Sequence, residues 1–438
     1  MSAVFSLGEV VRPNRPRVKP ESMPDSPFIG MEHVEAHSMK LLGTVPAATM
    51  KSSAVHFKSG DVLYGRLRPY LNKVFRPTFE GLCSAEFIVF PENERIDGRY
   101  LQYFLNSGAF VRFATHLNAG DRPRVDFDQI APYKIPVPSL ERQREIVAEI
   151  EKQFSRLDEA VANLQRVKAN LKRYKASVLK TAVEGRLVET EATQARREGR
   201  TYETSEQLLR RILEERRTEQ KRAIKSGEVS PHGEMPELPE GWVWTTLGQC
   251  FRVAVGATPS RKEAAYWNGD IPWVSSGEVQ LGRIRHTEEH ITSLGLANSS
   301  TQINPAGSVM IGMIGQGRTR GQAAILDIEA ANNQNCAAIW VSRTAVPPEF
   351  VFSWLLSRYI ETRSEGSGNN QQALNKRLVE QIPLPLPPLA EQIRIVAEVD
   401  RHLSIVREVE VEVDTNLKRA QALRQATLAT AFGLKSKP

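Results

Sequence analysis

The stretch IPVPSLERQREIVAEIEKQFS at residues 135–155 recurs, without a gap, as LPLPPLAEQIRIVAEVDRHLS at residues 384–404. The two copies lie 249 residues apart, and 9 of the 21 aligned positions are identical. An internal repeat of this strength decides the architecture, because each copy should form the same supersecondary unit. The identical pairs include Pro136/Pro385, Pro138/Pro387, Gln143/Gln392 and Glu149/Glu398.

Fainter similarity precedes each copy and keeps the same order along the chain. Patterns typical of buried strands and short helices recur at matching places. The sequence therefore predicts a globular domain of roughly 140 residues followed by a helix, twice over. The matching segments are Leu7-Gly8 with Leu247-Gly248, FIGMEHV (28–34) with WVSSGEV (273–279), GDVLYGR (60–66) with GSVMIGM (307–313), and RYLQYFLNS (99–107) with EFVFSWLLS (349–357).

A long helix is predicted after the Pro-rich segment of each copy. Pro136 and Pro138 disfavour helix before Ser139, which is a good N-cap residue, and Gly185 provides a stop. Apolar residues then recur in heptads, which favours a coiled coil between the helices over two amphipathic helices in separate cores. The predicted seam, meaning the line of apolar heptad positions, comprises Ile150, Phe154, Leu157, Val161, Leu164, Leu171, Val399, Leu403, Val406 and Val413.

The repeat divides the chain into five parts. One of them, the highly charged segment 189–240, has no counterpart after the second helix. We interpret it as a solvated linker containing a helix capped by Thr204 and Gln207, its charges pairing along the helix face. The predicted parts are a first domain (1–140), a first long helix (141–188), the linker (189–240), a second domain (241–388) and a second long helix (389–435).

Connectivity predicts how the helices run. A helix of roughly 40 residues is about 60 Å long, so the first helix carries the second domain away from the first. The second helix can bury its seam on the first only by running back. We therefore expect an α+β protein in which two mixed α/β domains are separated by two long helices. These helices should form an antiparallel coiled coil with approximate two-fold symmetry.

The composition is that of a globular protein, with 41% hydrophobic and 25% charged residues. No apolar run approaches the roughly 18 residues of a membrane span, and MSAVFSLGEV has no signal-peptide core. The scattered cysteines Cys83, Cys250 and Cys336 indicate a reducing, cytoplasmic setting and disfavour a zinc site or disulfide framework. The net charge of +7, spread along the chain, is compatible with a polyanionic partner.

Two basic domains related by an approximate two-fold axis match the symmetry of duplex DNA. The two domains have diverged in sequence, so each can read different bases. We therefore expect double-stranded DNA as the partner, with a bipartite, asymmetric target and an unread spacer between its halves.

Two loops in each domain carry the residue types that contact DNA, chiefly Arg, Lys, Asn and Gln. In the first domain, one loop follows the strand of GDVLYGR and the other is NAGDRPRVDF (118–127). In the second domain, GQGRTRGQ (315–322) and GSGNNQQALNK (366–376) hold the same two places. Surface charge is the alternative interpretation of each residue. The candidate DNA contacts are Arg66, Arg68, Lys73, Arg122, Arg124, Gln316, Arg318, Arg320, Asn369, Asn370, Gln371, Gln372, Asn375 and Lys376.

These segments resemble the specificity subunit of Type I restriction–modification systems. The resemblance spans the chain and is carried by GDVLYGRLRPYLNKV (60–74), LPEGWVWTTLGQ (238–249), LKTAVEGRLV (179–188) and the two Pro-rich segments. It implies that each domain is a target recognition domain reading half of a split site in the major groove. It also implies that the helices form a spacer and dock two methylation subunits, which bind S-adenosylmethionine. Restriction subunits would join for cleavage.

The chain's own residues indicate no catalysis. The sequence has no NPPY or DPPY tetrapeptide for methyl transfer and no GxxxxGK[ST] phosphate loop. GMIGQG (312–317) has the wrong spacing for a dinucleotide fingerprint, and His33 and His37 lack a third metal ligand. We therefore expect no cofactor and no metal in this chain. The alternative hypothesis is a coiled-coil scaffold or adaptor whose end domains bind proteins, and salt-dependent duplex binding separates the two.

Overall fold

The structure is a computed structural model that describes residues 3–13, 16–118, 120–219, 236–315, 319–359, 362 and 373–434. It divides into two compact units. The first unit comprises Met1–Val167 and Glu412–Pro438, and the second comprises Lys168–Val411. Each unit therefore combines one globular domain with a part of each long helix. The fold is α+β and carries the internal repeat.

The described residues of the first unit form three small sheets and several short helices. Its helices are α1 (Leu7–Val10), α2 (Gly98–Leu105), α3 (Gly108–His116), α4 (Phe127–Ile130) and the start of α5 (Leu140–Val183). Its strands are β1 (Ala3–Ser6), β2 (Arg17–Val18), β3 (Pro27–Ile29), β4 (Val45–Pro46), β5 (Ala54–Phe57), β6 (Val62–Gly65), β7 (Val74–Phe75), β8 (Gly81–Ser84), β9 (Phe87–Phe90) and β10 (Lys134–Val137). The sheet orders are β2-β5-β8-β3-β4, β7-β6-β9 and β1-β10.

The second unit has the same kinds of element in a different sheet arrangement. Its helices are α6 (Glu191–Glu198), α7 (Ser205–Glu219), α8 (Leu247–Cys250), α9 (Ser293–Ala297), α10 (Pro348–Ser357), α11 (Lys376–Glu380) and the start of α12 (Leu389–Ala431). Its strands are β11 (Val243–Thr246), β12 (Val253–Val255), β13 (Trp267–Val274), β14 (Arg283–Ile284), β15 (Glu289–Ile291), β16 (Ser308–Gly312), β17 (Ala323–Leu326), β18 (Ala331–Asn332), β19 (Cys336–Ile339) and β20 (Pro383–Leu386). The sheet orders are β12-β19-β16-β17-β14, β15-β13-β18 and β11-β20.

The repeat is most visible where each domain meets its long helix. β1 pairs antiparallel with β10, and β11 pairs antiparallel with β20 in the equivalent register. The Leu-Gly pairs noted in the sequence begin α1 and α8. A Cβ on Gly8 would lie 3.0 Å from the Ala131 side chain, and one on Gly248 would lie 2.7 Å from Glu380. Both positions therefore need glycine, because the short helix packs directly on the chain that leads into β10 or β20.

The long helices begin where the prolines end. Ser139 caps α5, its hydroxyl accepting a hydrogen bond from the Arg142 amide at 3.3 Å. After α5, Gly185 takes a left-handed conformation with φ 66°, which is typical of a helix C-terminus. Gly433 follows α12 with φ 62°.

The two long helices run antiparallel. In the first unit the start of α5 packs with the end of α12, where Leu428 and Phe432 share a core with Val147 and Ile150. In the second unit the end of α5 packs with the start of α12. The Tyr174 hydroxyl and the His402 Nδ1 are hydrogen-bonded at 2.6 Å. All ten predicted seam residues are buried or half-buried. The helix ends also belong to the domain cores, so the seam and the globular packing are continuous within each unit.

The charged linker is not solvated throughout, which corrects the sequence interpretation. Its second helix, α7, has the predicted cap, because the Gln207 amide donates to the Thr204 hydroxyl at 3.3 Å. Leu208 and Ile212 of α7 lie in the core of the second unit. A further helix, α6, was not predicted, and its Ala192 and Ala195 are buried. The sequence does not predict these buried faces, because the heptad pattern ends before them and their few apolar residues lie among many charged ones.

Candidate nucleic-acid interface

The two predicted loops of the first domain lie side by side. We name them loop A (66–73), which follows β6, and loop B (118–126), which precedes α4. The Arg68 amide donates to the Pro123 carbonyl at 2.7 Å, and the Val125 amide donates to the Arg66 carbonyl at 3.0 Å. Loop A and loop B are thus joined by their backbones. This pairing brings together side chains that are more than fifty residues apart in the sequence.

The two loops enclose an open groove of about 540 Å³ lined by Leu67, Arg68, Arg122 and Arg124. The Arg122 side chain is exposed, and the backbone of Arg68 is left-handed, with φ 50°. A left-handed arginine is uncommon, and such residues cluster at functional sites. Guanidinium groups on an open groove are suited to phosphate oxygens and to the major-groove edge of guanine.

Two of the predicted arginines make ion pairs within the domain. Arg66 pairs with Asp126, and Arg124 pairs with Glu86. The carboxylate of Asp126 and the guanidinium of Arg124 are both well exposed to solvent. Partly exposed ion pairs of this kind contribute little stability, so they can be exchanged for a phosphate.

Lys73 does not join the groove. Its ammonium donates to the Met31 carbonyl, in the segment that follows β3. Lys73 therefore fixes loop A to the body of the domain. Sequence reasoning missed Tyr70, an exposed aromatic residue on loop A beside Arg68. The sequence feature that points to Tyr70 is an aromatic residue within a basic loop, because nucleobases stack on exposed aromatic rings.

In the second domain a corresponding hydrogen bond joins the chain at the edges of its two loops. The Leu374 amide donates to the Met313 carbonyl at 2.9 Å. In the repeat, Leu374 corresponds to Val125 and Met313 corresponds to Arg66. The hydrogen bond between the two loops is therefore conserved between the copies, although the loop sequences differ.

Several second-domain candidates fall outside the described residues, namely Gln316, Arg318, Asn369, Asn370, Gln371 and Gln372. Arg320 lies half-buried in the turn before β17. Asn375 is the N-cap of α11 and accepts from the Leu378 amide at 2.9 Å, while Lys376 pairs with Glu380 at 3.6 Å. The side chains of Asn375 and Lys376 therefore have local structural roles.

The other side chains in the described part of the chain that could bind a metal or react are its histidines and cysteines. No cluster of His, Cys, Asp and Glu that could hold a metal occurs among these residues. The His33 ring instead accepts from the Gly30 amide at 2.9 Å. Burial raises the pKa of the Cys250 thiol to about 11 and that of Cys336 to about 12, so both stay protonated at neutral pH. No helix in the described ranges is long and apolar enough to cross a membrane.

Comparison with known proteins identifies the family. Residues 2–173 and 239–413 match the model of the Type I restriction modification DNA specificity domain. The chain belongs to this family. The two matched ranges correspond to the two copies of the repeat, each beginning at the first strand of a domain and ending within a long helix.

Two curated relatives illustrate the range of similarity. The specificity subunit of the type I restriction enzyme EcoDI from Escherichia coli is 28% identical over 173 residues, 38% of each chain. That of EcoAI from Escherichia coli is 20% identical over 451 residues, 86% of this chain and 74% of the relative. The chain thus spans about two fifths of the first relative and most of the second.

A chain with the same fold occurs in a solved structure of a type I R-M system. That structure concerns the complex assembly and conformational transition of the system. The TM-score is 0.69 at 21% identity, and the match covers 98% of this chain and 97% of that one. At this identity the likeness is one of fold.

Proposed function

We propose that this chain is the DNA-recognition subunit of a Type I restriction–modification system and that it reads a bipartite, asymmetric duplex target. The observation that carries the proposal is the backbone hydrogen bond that joins the two polar loops in both domains. In the first domain Arg68 and Arg122 line one groove beside this hydrogen bond, which supports the proposal. Family membership supports this recognition role over that of a general scaffold.

The chain would supply recognition, and its partners would supply chemistry. We propose two methylation subunits that carry S-adenosylmethionine, with restriction subunits joining for cleavage in the cytoplasm. The lack of methyl-transfer and phosphate-loop motifs supports this division of labour. The two relatives, which are specificity subunits of restriction enzymes, support it as well.

DNA binding by the purified full chain, with and without its partner methylation subunits, tests the proposal. Because binding neutralises phosphates and releases counterions, log affinity should fall linearly with log salt concentration. The footprint should consist of two protected blocks with an unprotected spacer. Salt-independent binding, or a single continuous block, would contradict the proposal. Methylation of DNA by the isolated chain would contradict the division of labour.

Single-molecule sequencing of DNA from cells that carry this gene with its partner genes tests the same proposal in vivo, because it detects methylated adenines. Adenine methylation should appear at a split motif whose halves differ. Cells that carry the partner genes alone are the control and should show no methylation at that motif.

A further inference from the structure

The second unit has a groove of about 910 Å³ that is separate from the polar loops. It lies between strand β14, helix α10 and the first half of α12. Its floor is apolar and includes Phe352, Leu356 and Val399, and Lys175 of α5 lies at one side. Contiguous apolar surface rimmed by polar residues marks an interaction site, protein–protein contacts among them.

The equivalent place in the first unit is filled by the protein itself. The rings of Tyr103 and Phe154 meet edge to face with centroids 5.6 Å apart. The guanidinium of Arg424 lies 3.9 Å from the Phe154 ring centroid and pairs with Asp158 at 2.7 Å. Two aromatic rings and a stacked cation therefore close this position in the first copy.

The second copy has a non-aromatic residue in place of each ring and a lysine in place of the arginine. In the repeat, Tyr103 corresponds to Ser353, Phe154 to Leu403 and Arg424 to Lys175, and these three counterparts line the groove. The missing rings therefore leave part of this groove open. The internal repeat supplies a template for the chemistry that fits it.

An ion pair that helps to close this position in the first copy is also missing from the second copy. Arg99 pairs with Glu151 at 3.2 Å across α2 and α5 in the first unit. The corresponding residues, Glu349 and Asp400, are both acidic and cannot form that bridge. Glu349 instead pairs with Arg283 at 2.5 Å, and Asp400 pairs with Arg407 at 3.4 Å.

Leu281 adds an independent observation at the rim of the groove. It is 42% exposed and its backbone is left-handed, with φ 53°. A left-handed conformation is strained for a leucine. Leu281 therefore extends the apolar lining of the groove to its solvent-exposed rim, and contiguous apolar surface is what a partner covers.

We propose that this groove receives an aromatic side chain, Phe or Tyr, presented by an apolar segment of the partner methylation subunit. The inference rests on the proposed function, because that function supplies the partner. In the first copy Tyr103, Phe154 and Arg424 occupy the corresponding positions, so the contact should form once per chain. The two copies of the repeat thus offer unequal docking surfaces to otherwise equivalent partners.

Filling the groove with the residues of the first copy tests the proposal. The variant Lys175→Arg/Ser353→Tyr/Leu403→Phe reproduces a combination that this fold already packs. Its dissociation constant for the partner methylation subunit should rise at least about tenfold, the effect expected from blocking an aromatic anchor. Leu294→Phe, which adds a ring at a residue 52% exposed on α9 and outside the groove, is the matched control. It should stay within about twofold of wild type.

Photo-crosslinking identifies the occupant without depending on the folding of the filled variant. A benzophenone amino acid in place of Leu281, in the full complex without DNA, should crosslink to a partner peptide that contains Phe or Tyr. A crosslink to a second copy of this chain, to a peptide lacking an aromatic residue, or to nothing would overturn the proposal. So would unchanged partner affinity in a folded, filled variant.

Duplex binding by the same preparations separates this proposal from the proposed function. Wild-type chain that lacks bipartite DNA binding would overturn the function. Normal bipartite binding together with no contact at the groove would overturn the groove proposal alone.

Discussion

At the scale of single residues, the repeated glutamine has the same structural role in both copies. Gln143 is fully buried, donates to the Pro138 carbonyl at 2.8 Å and accepts from the Asp97 amide at 2.8 Å. Gln392 is also buried and donates to the Pro387 carbonyl at 2.8 Å. The side chain thus satisfies a proline carbonyl at the start of each long helix. The identity of the two glutamines follows from this geometry, since each must reach the carbonyl five residues before it.

Replacing Gln143 by Ala should lower the free energy of unfolding by about 2–6 kcal/mol. The Asp97 amide and the Pro138 carbonyl would lose their buried partner, and each group left without one costs about 1–3 kcal/mol. Chemical denaturation of the full chain measures the change. Gln165→Ala, at an exposed position on the same helix, should change stability by less than about 0.5 kcal/mol. Equal effects of the two substitutions would contradict the anchoring role.

The groove arginines of the first domain are the other residue-scale test. Arg68→Ala/Arg122→Ala should weaken specific duplex binding by about 2–6 kcal/mol, since each good base contact contributes about 1–3 kcal/mol. Fluorescence anisotropy with cognate and scrambled duplexes measures the loss. Arg210→Ala/Arg217→Ala on α7 removes the same charge from exposed positions and is the control. If both double variants lose the same affinity, the effect is one of net charge and not of a site.

At the scale of elements, a buried cluster of carboxylates ties α6 to the start of α12. Glu191 is buried and pairs with Arg394 at 2.6 Å and Arg200 at 2.5 Å. Glu391 is buried beside it and accepts from the Glu191 amide at 2.8 Å and from the Trp242 indole at 2.9 Å. The linker is therefore held to the second long helix by charge-assisted hydrogen bonds, which are stronger than neutral ones.

The two carboxylates have opposite pKa shifts. Burial pushes the pKa of Glu191 up, but hydrogen bonds and charge from Arg200 and Arg394 outweigh it, so its pKa is lowered. Burial raises the pKa of Glu391, although the Glu191 amide and Trp242 oppose this. Ionised Glu191 therefore stabilises the fold, while the ionisation of Glu391 is costly.

Glu191→Gln should lower the free energy of unfolding by about 3 kcal/mol at pH 7, because it leaves two cations without their buried partner. The folded-state pKa of Glu191 lies below its ordinary value of 4.5, so its contribution is full above that value and fades as the pH falls. The difference between wild type and variant should therefore shrink below about pH 4.5. Denaturation at a series of pH values measures it, with the exposed Glu214→Gln as control. A difference that grows at low pH would contradict the assignment.

At the scale of the whole molecule, the strand pairs β1-β10 and β11-β20 fasten each domain to its long helix. The Pro-rich segment 383–388 contains β20 and is part of the packed fold. Leu384 and Leu386 are fully buried and β20 is paired with β11. A domain exchange with its downstream junction inside β20 would therefore disrupt this sheet.

Replacing residues 251–382 with the matching segment of a relative keeps β11 and β20 native. Such a hybrid should change one half of the DNA target and retain the half read by the first domain. The spacer length should also be retained, since both long helices are unchanged. Methylation mapping in cells with the partner subunits measures the outcome. A change in both halves would show that the two domains do not read independently.

The sequence by itself determined the repeat, the two long helices and the places of the polar loops. These features are local or periodic: heptads, prolines before a helix and glycines after it leave a direct imprint on the chain. The similarity of residues 135–155 to 384–404 was sufficient to predict two related domains. The family followed from the same stretches.

Only the tertiary structure decided which of these residues meet. Arg66 and Arg124 find acidic partners at Asp126 and Glu86, and Lys73 reaches the Met31 carbonyl, because loop A and loop B fold back on a shared body. The groove of the second unit likewise depends on Ser353 and Leu403, which are distant in sequence and unremarkable in pattern. Contacts across such separations are set by how whole elements pack, and packing leaves no periodic mark on a single sequence.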